Sequence, residues 1–354
     1  MPVTIRDVAK RLNVSVTTVS RALAGYDDVA KETRARVIQT AEEMGYTPSH
    51  AARQLRRKRT DTLGLIFPTL GHRFSDPFFG EFLAGVGDVA SQHKYDLLVS
   101  VAAPGEEERN AYQRWVQSRR VDGFILVRIR RQDWRIQYLS EEQFPFMSFG
   151  RSQTMDGAPH IGVDGKAGML QLTRHLLELG HKRIAFIGAP EELTLSRDRF
   201  QGYLTALKEA GLETDPALIV EAQLTRSTGH RAALDLLRRE HPPTAIIGIN
   251  DLTALGALRA AKECNLRVGF DIAIAGFDGT EAGKHATPAL TTVSQPVYTI
   301  GSDACTNLIA QINNGHLEPV QQLVQPQLII RQSTRPADGE ATNEEGTVDS
   351  SQAL

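Results

Sequence analysis

The most distinctive polar run of this 354-residue sequence is SVTTVSRALAG, at residues 15–25. It places four hydroxyl side chains and one arginine within barely two helical turns: Ser15, Thr17, Thr18, Ser20 and Arg21. Hydroxyl groups can donate hydrogen bonds to phosphates or base edges, and an arginine can pair with a guanine through two parallel hydrogen bonds. The run therefore indicates nucleic-acid contact. The alternative is that the same hydroxyls only cap and solvate a short surface helix.

The segments around this run predict three short helices. Thr4 and Ser15 are candidate N-caps of the first two, and Gly45 suits the left-handed end of the third, which covers residues 31–44. The predicted apolar faces are Ile5, Val8, Ala9 and Leu12, then Val19 and Leu23, then Val37, Ile38, Ala41 and Met44. Three such helices around one small core predict a helix-turn-helix module, whose second helix enters the major groove of DNA.

Charge is distributed unevenly along the chain. Residues 1–60 contain 12 Lys and Arg against 6 Asp and Glu, a net charge of +6, whereas the rest of the chain has a net charge of −8. A basic segment on an acidic body favours nucleic-acid contact through the basic segment. Cys264 and Cys305 are predicted to be small buried side chains, as expected in a reducing compartment. The opening MPVTIRDV lacks a signal-peptide pattern and no apolar run has membrane-spanning length, so we expect a cytoplasmic protein without a membrane partner.

From residue 61 onward, apolar runs alternate with amphipathic helical segments. Eight runs are rich in Val, Ile and Leu: TLGLIFP, YDLLVSV, VDGFILV, FPFMSFG, RIAFIGAP, ALIVEA, TAIIGIND and IAIAGFDG. This alternation predicts parallel sheets covered on both faces, and a stretch at 152–165 divides the runs into two groups of four. We therefore predict an α/β core of two doubly wound subdomains, which binds a ligand at the carboxyl ends of its strands.

Several motifs resemble the LacI/GalR family of transcriptional repressors, in order, over residues 3 to about 335. They include TIRDVAKRLNVSVTTVSRAL, TDTLGLIFP, DPFFGEFLAGV, RDRFQGYLTAL, AIIGINDLTALGALRA, IAGFDG and LTTVSQP. The resemblance implies an N-terminal all-α helix-turn-helix head and a periplasmic-binding-protein-like core of two doubly wound parallel-sheet subdomains. It also implies a homodimer that reads an inverted-repeat operator in double-stranded DNA. A small-molecule effector, expected to be a sugar, would bind in the cleft of each core.

The resemblance also implies which residues contact DNA: Thr4, Ser15, Val16, Thr17, Thr18, Ser20, Arg21, Ala52 and Leu55. Val16 and Thr17 match the positions that choose the operator sequence, although by spacing alone Val16 could pack with Val19. In such repressors the linker at 47–60 becomes a hinge helix on operator DNA, and a leucine matching Leu55 enters the minor groove. The alternative for this segment is an ordinary basic linker between domains.

For the effector, the resemblance implies a second set: Asp76, Phe78, Arg199, Asn250, Asp278 and Gln295. Arginine and carboxylates can engage vicinal hydroxyls with paired hydrogen bonds, and an aromatic ring offers an apolar surface to a sugar ring. Phe78 could instead belong to the core, and Asp278 could cap the turn after its strand. Gly150 stands where many sugar-responsive members have Asp, and Leu224 roughly where some have an aromatic residue, so the identity of the ligand stays open.

Four regions are predicted: the head at 1–46, the hinge at 47–60, the core at 61–335 and a disordered acidic tail at 336–354. Within the core we expect one subdomain at about 61–160 plus 295–322, and the other at about 161–292 plus 323–335. A purine-type corepressed regulator and a sugar-binding transport protein are the alternatives for such a core. An enzyme is not predicted, because the sequence contains no nucleophile–base constellation, Walker loop or metal-ligand spacing. Neither a cofactor nor a metal is expected.

Overall fold

The computed structural model describes residues 3–46, 59–68, 76–315 and 318–335. The chain divides into two compact units, residues 1–61 and 62–354. The predicted hinge residues Ala52 and Leu55 and the predicted tail lie outside the described residues. Within the described ranges, no helix combines the length and the apolar character needed to cross a membrane.

The first unit contains the three predicted helices: α1 (Ile5–Leu12), α2 (Val16–Leu23) and α3 (Lys31–Glu43). At the start of α1, the Thr4 backbone N–H and Thr4 Oγ1 both donate to Asp7 Oδ2, over 2.8 and 2.6 Å. At the start of α2, Ser15 Oγ accepts a hydrogen bond of 3.0 Å from the Thr18 backbone N–H, as an N-cap does. The helices bury a small core made of Val8, Ala9, Val19, Ala22, Val29, Val37 and Ala41.

Two apolar residues of this unit point outward instead of into the core. Ile38 was expected on the buried face of α3, but its side chain is 41% exposed. Successive residues point about 100° apart around a helix, so the burial of Val37 turns Ile38 toward solvent. Val16 is 42% exposed while Val19 is fully buried, so the alternative in which Val16 packs with Val19 is wrong.

The second unit contains two six-stranded sheets. The first consists of β1 (Thr62–Pro68), β2 (Asp96–Ala102), β3 (Gly123–Leu126), β4 (Phe146–Phe149), β5 (His160–Val163) and β11 (Gln321–Val324). The second consists of β6 (Ile184–Gly188), β7 (Ile219–Glu221), β8 (Ala245–Gly248), β9 (Ala273–Asp278), β10 (Thr291–Ser294) and β12 (Gln327–Ile329). Their spatial orders are β11-β5-β4-β3-β1-β2 and β12-β10-β9-β8-β6-β7. Neighbouring strands are parallel except for β12, which runs antiparallel to β10.

Helices cover both faces of each sheet. They are α4 (Pro77–Gln92), α5 (Glu106–Gln117), α6 (Trp134–Glu141), α7 (Gly165–Glu178), α8 (Thr194–Glu209), α9 (Arg226–Leu237), α10 (Asp251–Glu263), α11 (Glu281–Lys284) and α12 (Val297–Asn314). Apolar residues of α4 and α12 pack with one face of the first sheet, and those of α5 and α6 with the other. In the second sheet, α9 and α10 cover one face and α7 and α8 the other. The predicted core of two doubly wound subdomains is therefore confirmed.

The chain passes between the sheets three times, after β5, after β10 and after β11. Residues 161–163 and 323–324 pair within the first sheet, so they were wrongly assigned to the second subdomain. The strands β5 and β11 continue to pair up to Val163 and Val324, which moves these crossings a few residues along the chain. Four strands were missed: β5, β10, β11 and β12.

Two glycines allow α4 and α12 to pack closely. A Cβ atom added to Gly85 of α4 would overlap the carbonyl oxygen of Tyr298, and one added to Gly301 of α12 would overlap the carbonyl oxygen of Phe82. The backbones of the two helices therefore touch where a larger residue would hold them apart.

Ionised side chains are buried inside the first subdomain. Arg135 lies at the start of α6 with no exposed surface, and its guanidinium forms ion pairs of 2.6 Å with Asp133 and 3.3 Å with Glu108. Glu108 also receives two hydrogen bonds from Arg130, over 2.8 and 3.2 Å. A buried charge is tolerated only when its partners are present, so the four residues form one interdependent cluster. Cys305 is buried as predicted, whereas Cys264 is only partly buried.

Candidate functional site

The predicted DNA-contacting residues of the first unit lie mainly on α2 and at its N-cap. Ser15, Val16, Thr17 and Arg21 are exposed, and Thr18 and Ser20 are half-buried. Ser15 and Thr18 also contact each other, with 2.8 Å between their hydroxyl oxygens. Part of the hydroxyl run thus caps the helix, while its exposed members are accessible to a ligand. Thr4 is exposed at the N-cap of α1.

Arg21 is held by neighbouring side chains. Its Nε donates to Asp28 Oδ1 over 3.2 Å, and its guanidinium lies 5.3 Å from the centre of the Tyr26 ring. The side chain remains 45% exposed, so the ion pair with Asp28 is accessible to solvent. A phosphate or a guanine that approached this end of α2 would compete with Asp28 for the guanidinium.

A cavity of about 550 Å³ lies within the core. It is lined by residues at or just beyond the carboxyl ends of strands from both sheets, where doubly wound folds bind ligands. All six predicted effector residues line it: Asp76, Phe78, Arg199, Asn250, Asp278 and Gln295. The structure therefore brings together side chains that are up to 219 positions apart in the sequence.

Arg199, on α8, is the most constrained cation of the cavity. Its side chain is buried, with one amino group donating to the Ile249 carbonyl oxygen over 2.5 Å and the other to Asp278 Oδ1 over 3.3 Å. The guanidinium carbon lies 3.7 Å from the centre of the Phe277 ring. Burial lowers the pKa of Arg199, and the charge of Asp278 opposes that change. These contacts fix the direction of the guanidinium before any ligand arrives.

Asp278 is the partner of Arg199 and the most perturbed carboxyl group of the cavity. Burial raises its pKa well above the usual value, against the opposing effect of Arg199. Its Oδ1 also accepts a hydrogen bond of 2.7 Å from Gln295 Nε2. Its backbone φ is +130°, a region that residues other than glycine rarely adopt. The carboxylate thus acts inside a hydrogen-bonded network, beyond any role at the turn after β9.

The other predicted residues combine structural and lining roles. Asn250 caps α10, since its Oδ1 accepts from the Thr253 backbone N–H and hydroxyl over 2.9 and 2.7 Å, which leaves its amide nitrogen for a ligand. Asp76 caps α4 through the Phe78 backbone N–H, over 3.1 Å, and burial raises its pKa. Phe78 belongs to the apolar core of the first subdomain and stacks on Phe149, with 5.7 Å between ring centres. Both interpretations of Phe78 are therefore compatible with the structure.

Other lining residues were not selected from the sequence. They include Arg128 just after β3, Phe149 at the end of β4, and Arg151 and Asp198. Arg128 follows the predicted strand VDGFILV, and a polar residue at that position is a signal that could have identified it. Gly150 and Leu224, the two departures from the family pattern, also line the cavity. The described parts of the chain contain no cluster of His, Cys, Asp and Glu that could hold a metal ion.

Comparisons with known proteins identify the chain. A family model for bacterial regulatory proteins of the lacI family matches residues 4–49, and a model for periplasmic binding protein-like domains matches residues 173–334. The HTH-type transcriptional regulator AglR of Rhizobium meliloti (strain 1021) is 37% identical over 344 residues, which cover 95% of this chain and 96% of AglR. The chain belongs to the LacI family.

Solved structures of LacI-family regulators have the same architecture. A complex of the transcriptional regulator CelR with cellobiose matches with a TM-score of 0.73 and 31% identity, covering 94% of this chain and 99% of CelR. A Lac repressor dimer bound to operator and the anti-inducer ONPF matches with a TM-score of 0.83 and 27% identity, covering 95% of this chain and 100% of the repressor. This LacI-family protein is therefore a transcriptional regulator with a helix-turn-helix head and a periplasmic-binding-protein-like core.

Proposed function

We propose that this protein represses carbohydrate-utilisation genes and that a small sugar in the core cavity changes its affinity for operator DNA. One observation carries the proposal: the six residues expected to bind an effector line a single cavity at the carboxyl ends of both sheets. The cellobiose in the CelR complex and the operator in the Lac repressor complex support it, since both proteins share this fold. The proposed activity is binding, without catalysis.

The cavity offers the chemistry that a sugar requires. Arg199 and Asp278 present a donor and an acceptor side by side, and Asn250 adds an amide nitrogen. Phe78 supplies an apolar surface next to these polar groups. Sugars combine a hydroxyl periphery with apolar ring faces, so this combination favours a carbohydrate over a purely apolar ligand.

We infer that the functional unit is a homodimer, in which two heads read the two halves of an inverted repeat. A Lac repressor of this fold binds its operator as a dimer, which supports the inference. Protein two-fold symmetry then matches DNA two-fold symmetry, because each recognition helix meets an equivalent half-site.

The proposal is tested by selecting binding sites from a pool of randomised duplex DNA with the full chain. We expect one inverted repeat to be enriched, and Arg21→Ala to weaken binding to it by about tenfold or more, as for an arginine that reads a base. Arg36→Ala, which removes an exposed positive charge from α3, is the matched control and should weaken binding less. Failure to enrich an inverted repeat, or equal losses in the two variants, would contradict the proposed recognition by α2.

A further inference from the structure

Arg128 stands at a strained position in the wall of the cavity. It lies two residues beyond the carboxyl end of β3, and its backbone φ is +52°, in the left-handed region that residues other than Gly, Asn and Asp seldom occupy. Strained backbone of this kind persists only where the surrounding structure holds it, and it clusters at functional sites. The backbone of Arg128 must therefore be held by neighbouring residues, and its strain indicates a role in function.

The structural cause is the buried ion cluster behind the loop. Arg135 donates to the carbonyl oxygens of Val127 and Arg128, over 3.1 and 3.2 Å. Asp133 Oδ2 accepts from the Arg130 backbone N–H over 3.0 Å. Fully buried charges thus hold the main chain at and on both sides of Arg128. The loop is fixed before a ligand binds, so the direction in which the Arg128 side chain leaves the main chain is fixed with it.

The guanidinium of Arg128 differs from that of Arg199 in having no hydrogen-bonded or ion-paired side chain among the described residues. Arg199 is engaged by Asp278 and by a backbone carbonyl group. Arg128 lies 5.5 Å from the centre of the Phe79 ring and forms no ion pair or side-chain hydrogen bond with any residue that the structure describes. Burial lowers its pKa, against the opposing charge of Asp76. A half-buried cation of this kind is stabilised by a ligand that supplies a negative charge.

Four cationic and four acidic side chains line the cavity. Three lining cations have no ion pair with a described residue: Arg128, Arg151 and Lys166. Among the lining carboxylates, Asp278 is in an ion pair, and Asp76 and Asp164 accept hydrogen bonds from backbone N–H groups. Asp198 has no such partner among the described residues, and burial raises its pKa. The lining is thus balanced in formal charge, and Arg128 stands out by its fixed backbone and by having no ion-pair partner among the described residues.

The loop that carries Arg128 also contacts the opposite subdomain. The carbonyl oxygen of Ile129 accepts from the Thr194 backbone N–H over 3.0 Å, and the Arg131 backbone N–H donates to the Glu192 carbonyl oxygen over 2.8 Å. A ligand on Arg128 would thus bind next to a contact between the subdomains. This position suits a residue that transmits occupancy of the cavity.

We propose that the effector is an acidic sugar, one that carries a carboxylate or a phosphate, and that Arg128 binds the acidic group. The inference rests on the proposed function, because it takes the cavity ligand to be a carbohydrate. An arginine can form two parallel hydrogen bonds with either group, and a neutral hydroxyl pair does not supply the compensating charge.

The test measures binding to the full chain by calorimetry and thermal shift, with neutral sugars and their acidic counterparts. Glucose and cellobiose are the neutral probes, and glucuronate and glucose 6-phosphate separate a carboxylate from a phosphate. We expect at least one acidic probe to raise Tm and to bind more tightly than the neutral probes. Arg128→Gln should weaken that binding about 10- to 100-fold, and Arg128→Lys, which keeps the charge without the planar fork, should weaken it less.

Arg119→Gln is the matched control. Arg119 is an exposed arginine with a φ of +45° that does not line the cavity, so its substitution changes backbone strain and charge in the same way. It should leave binding of the acidic probe unchanged. Equal binding of neutral and acidic probes, no binding of any acidic probe, or equal losses in Arg128→Gln and Arg119→Gln would overturn the inference. A neutral sugar that alters operator binding would leave the proposed repressor function intact and overturn only the acidic class.

Discussion

Several buried residues of the first subdomain are charged, whereas buried positions usually hold apolar side chains. Burial alone would raise the pKa of Asp133, but the hydrogen bonds and charge of Arg135 outweigh it, and the pKa lies below its usual value. Asp133 is therefore ionised in the folded protein, and so the cluster depends on every one of its members. The cluster stabilises the loop that carries Arg128 through hydrogen bonds to its main chain.

Removal of the central cation should be strongly destabilising. Arg135→Met leaves the buried Asp133 without its ion-pair partner and Glu108 with Arg130 alone, and it should reduce the free energy of unfolding by about 3–5 kcal/mol. Urea denaturation measures the loss. The surface pair of Arg174 and Glu209, with side chains 49% and 44% exposed, is the comparison, because Arg174→Met should reduce stability by less than about 1 kcal/mol. Similar losses in both variants would show that burial of the cluster does not determine its contribution to the free energy of unfolding.

Among the elements, α4 and α12 are positioned by the close approach of their backbones. Gly85 and Gly301 lie where the helices touch. A larger residue at either position would place its Cβ atom on a carbonyl oxygen of the other helix. Because a carbonyl oxygen cannot rotate away as a side chain can, the helices themselves would have to separate. The first subdomain therefore depends on glycine at these positions for packing.

This contact predicts opposite effects for two identical substitutions. Gly301→Ala should destabilise the protein by about 1–3 kcal/mol, as expected when a packed interior receives an extra carbon atom. Gly87→Ala, on α4, should increase stability by up to about 1 kcal/mol, because nothing lies within 4 Å of its added Cβ and alanine restricts the unfolded chain. Thermal and urea unfolding measure both. A neutral or stabilising Gly301→Ala would contradict the close packing.

Strands that coincide with strongly apolar runs were predictable, and those outside such runs were not. The run TLGLIFP coincides with β1, whose residues are almost all buried. In contrast, β11 is mostly exposed and β12 only partly buried, and three of their seven residues are glutamine, so no apolar pattern marks them. β5 lies in the stretch assigned as a divide. The cavity residues carried by family motifs were likewise accessible from sequence. The buried cluster around Arg135 was not, because a charged residue in a sequence predicts a solvated surface.

For the whole molecule, the proposed repressor separates its two ligand sites along the chain. The predicted DNA contacts precede residue 61, and the cavity lies in the core. An effector can then act on DNA binding only through a change in the population of conformations, so the two sites are coupled without sharing residues.

Arg199→Ala tests this separation. The variant should lose at least tenfold in affinity for the effector probe, because it loses a buried charged donor, and the effector should no longer change operator binding. It should still bind the selected inverted repeat. Calorimetry and gel-shift titrations on the same preparation measure both properties. Unchanged effector affinity would make Arg199 a structural residue of the second subdomain, held by Asp278 and the Ile249 carbonyl group.

The three crossings between the subdomains also affect how the protein is made. β5 pairs on one side with β4, but its other neighbour, β11, is separated from it by residues 164–320. A ribosome adds roughly 5–20 residues per second, so the edge of β5 stays open for on the order of ten to thirty seconds while the second subdomain is synthesised. An open strand edge can pair with another chain. We therefore expect this edge to be open to pairing with other chains during synthesis, and the sheet to be completed only after residues 321–324 have left the ribosome.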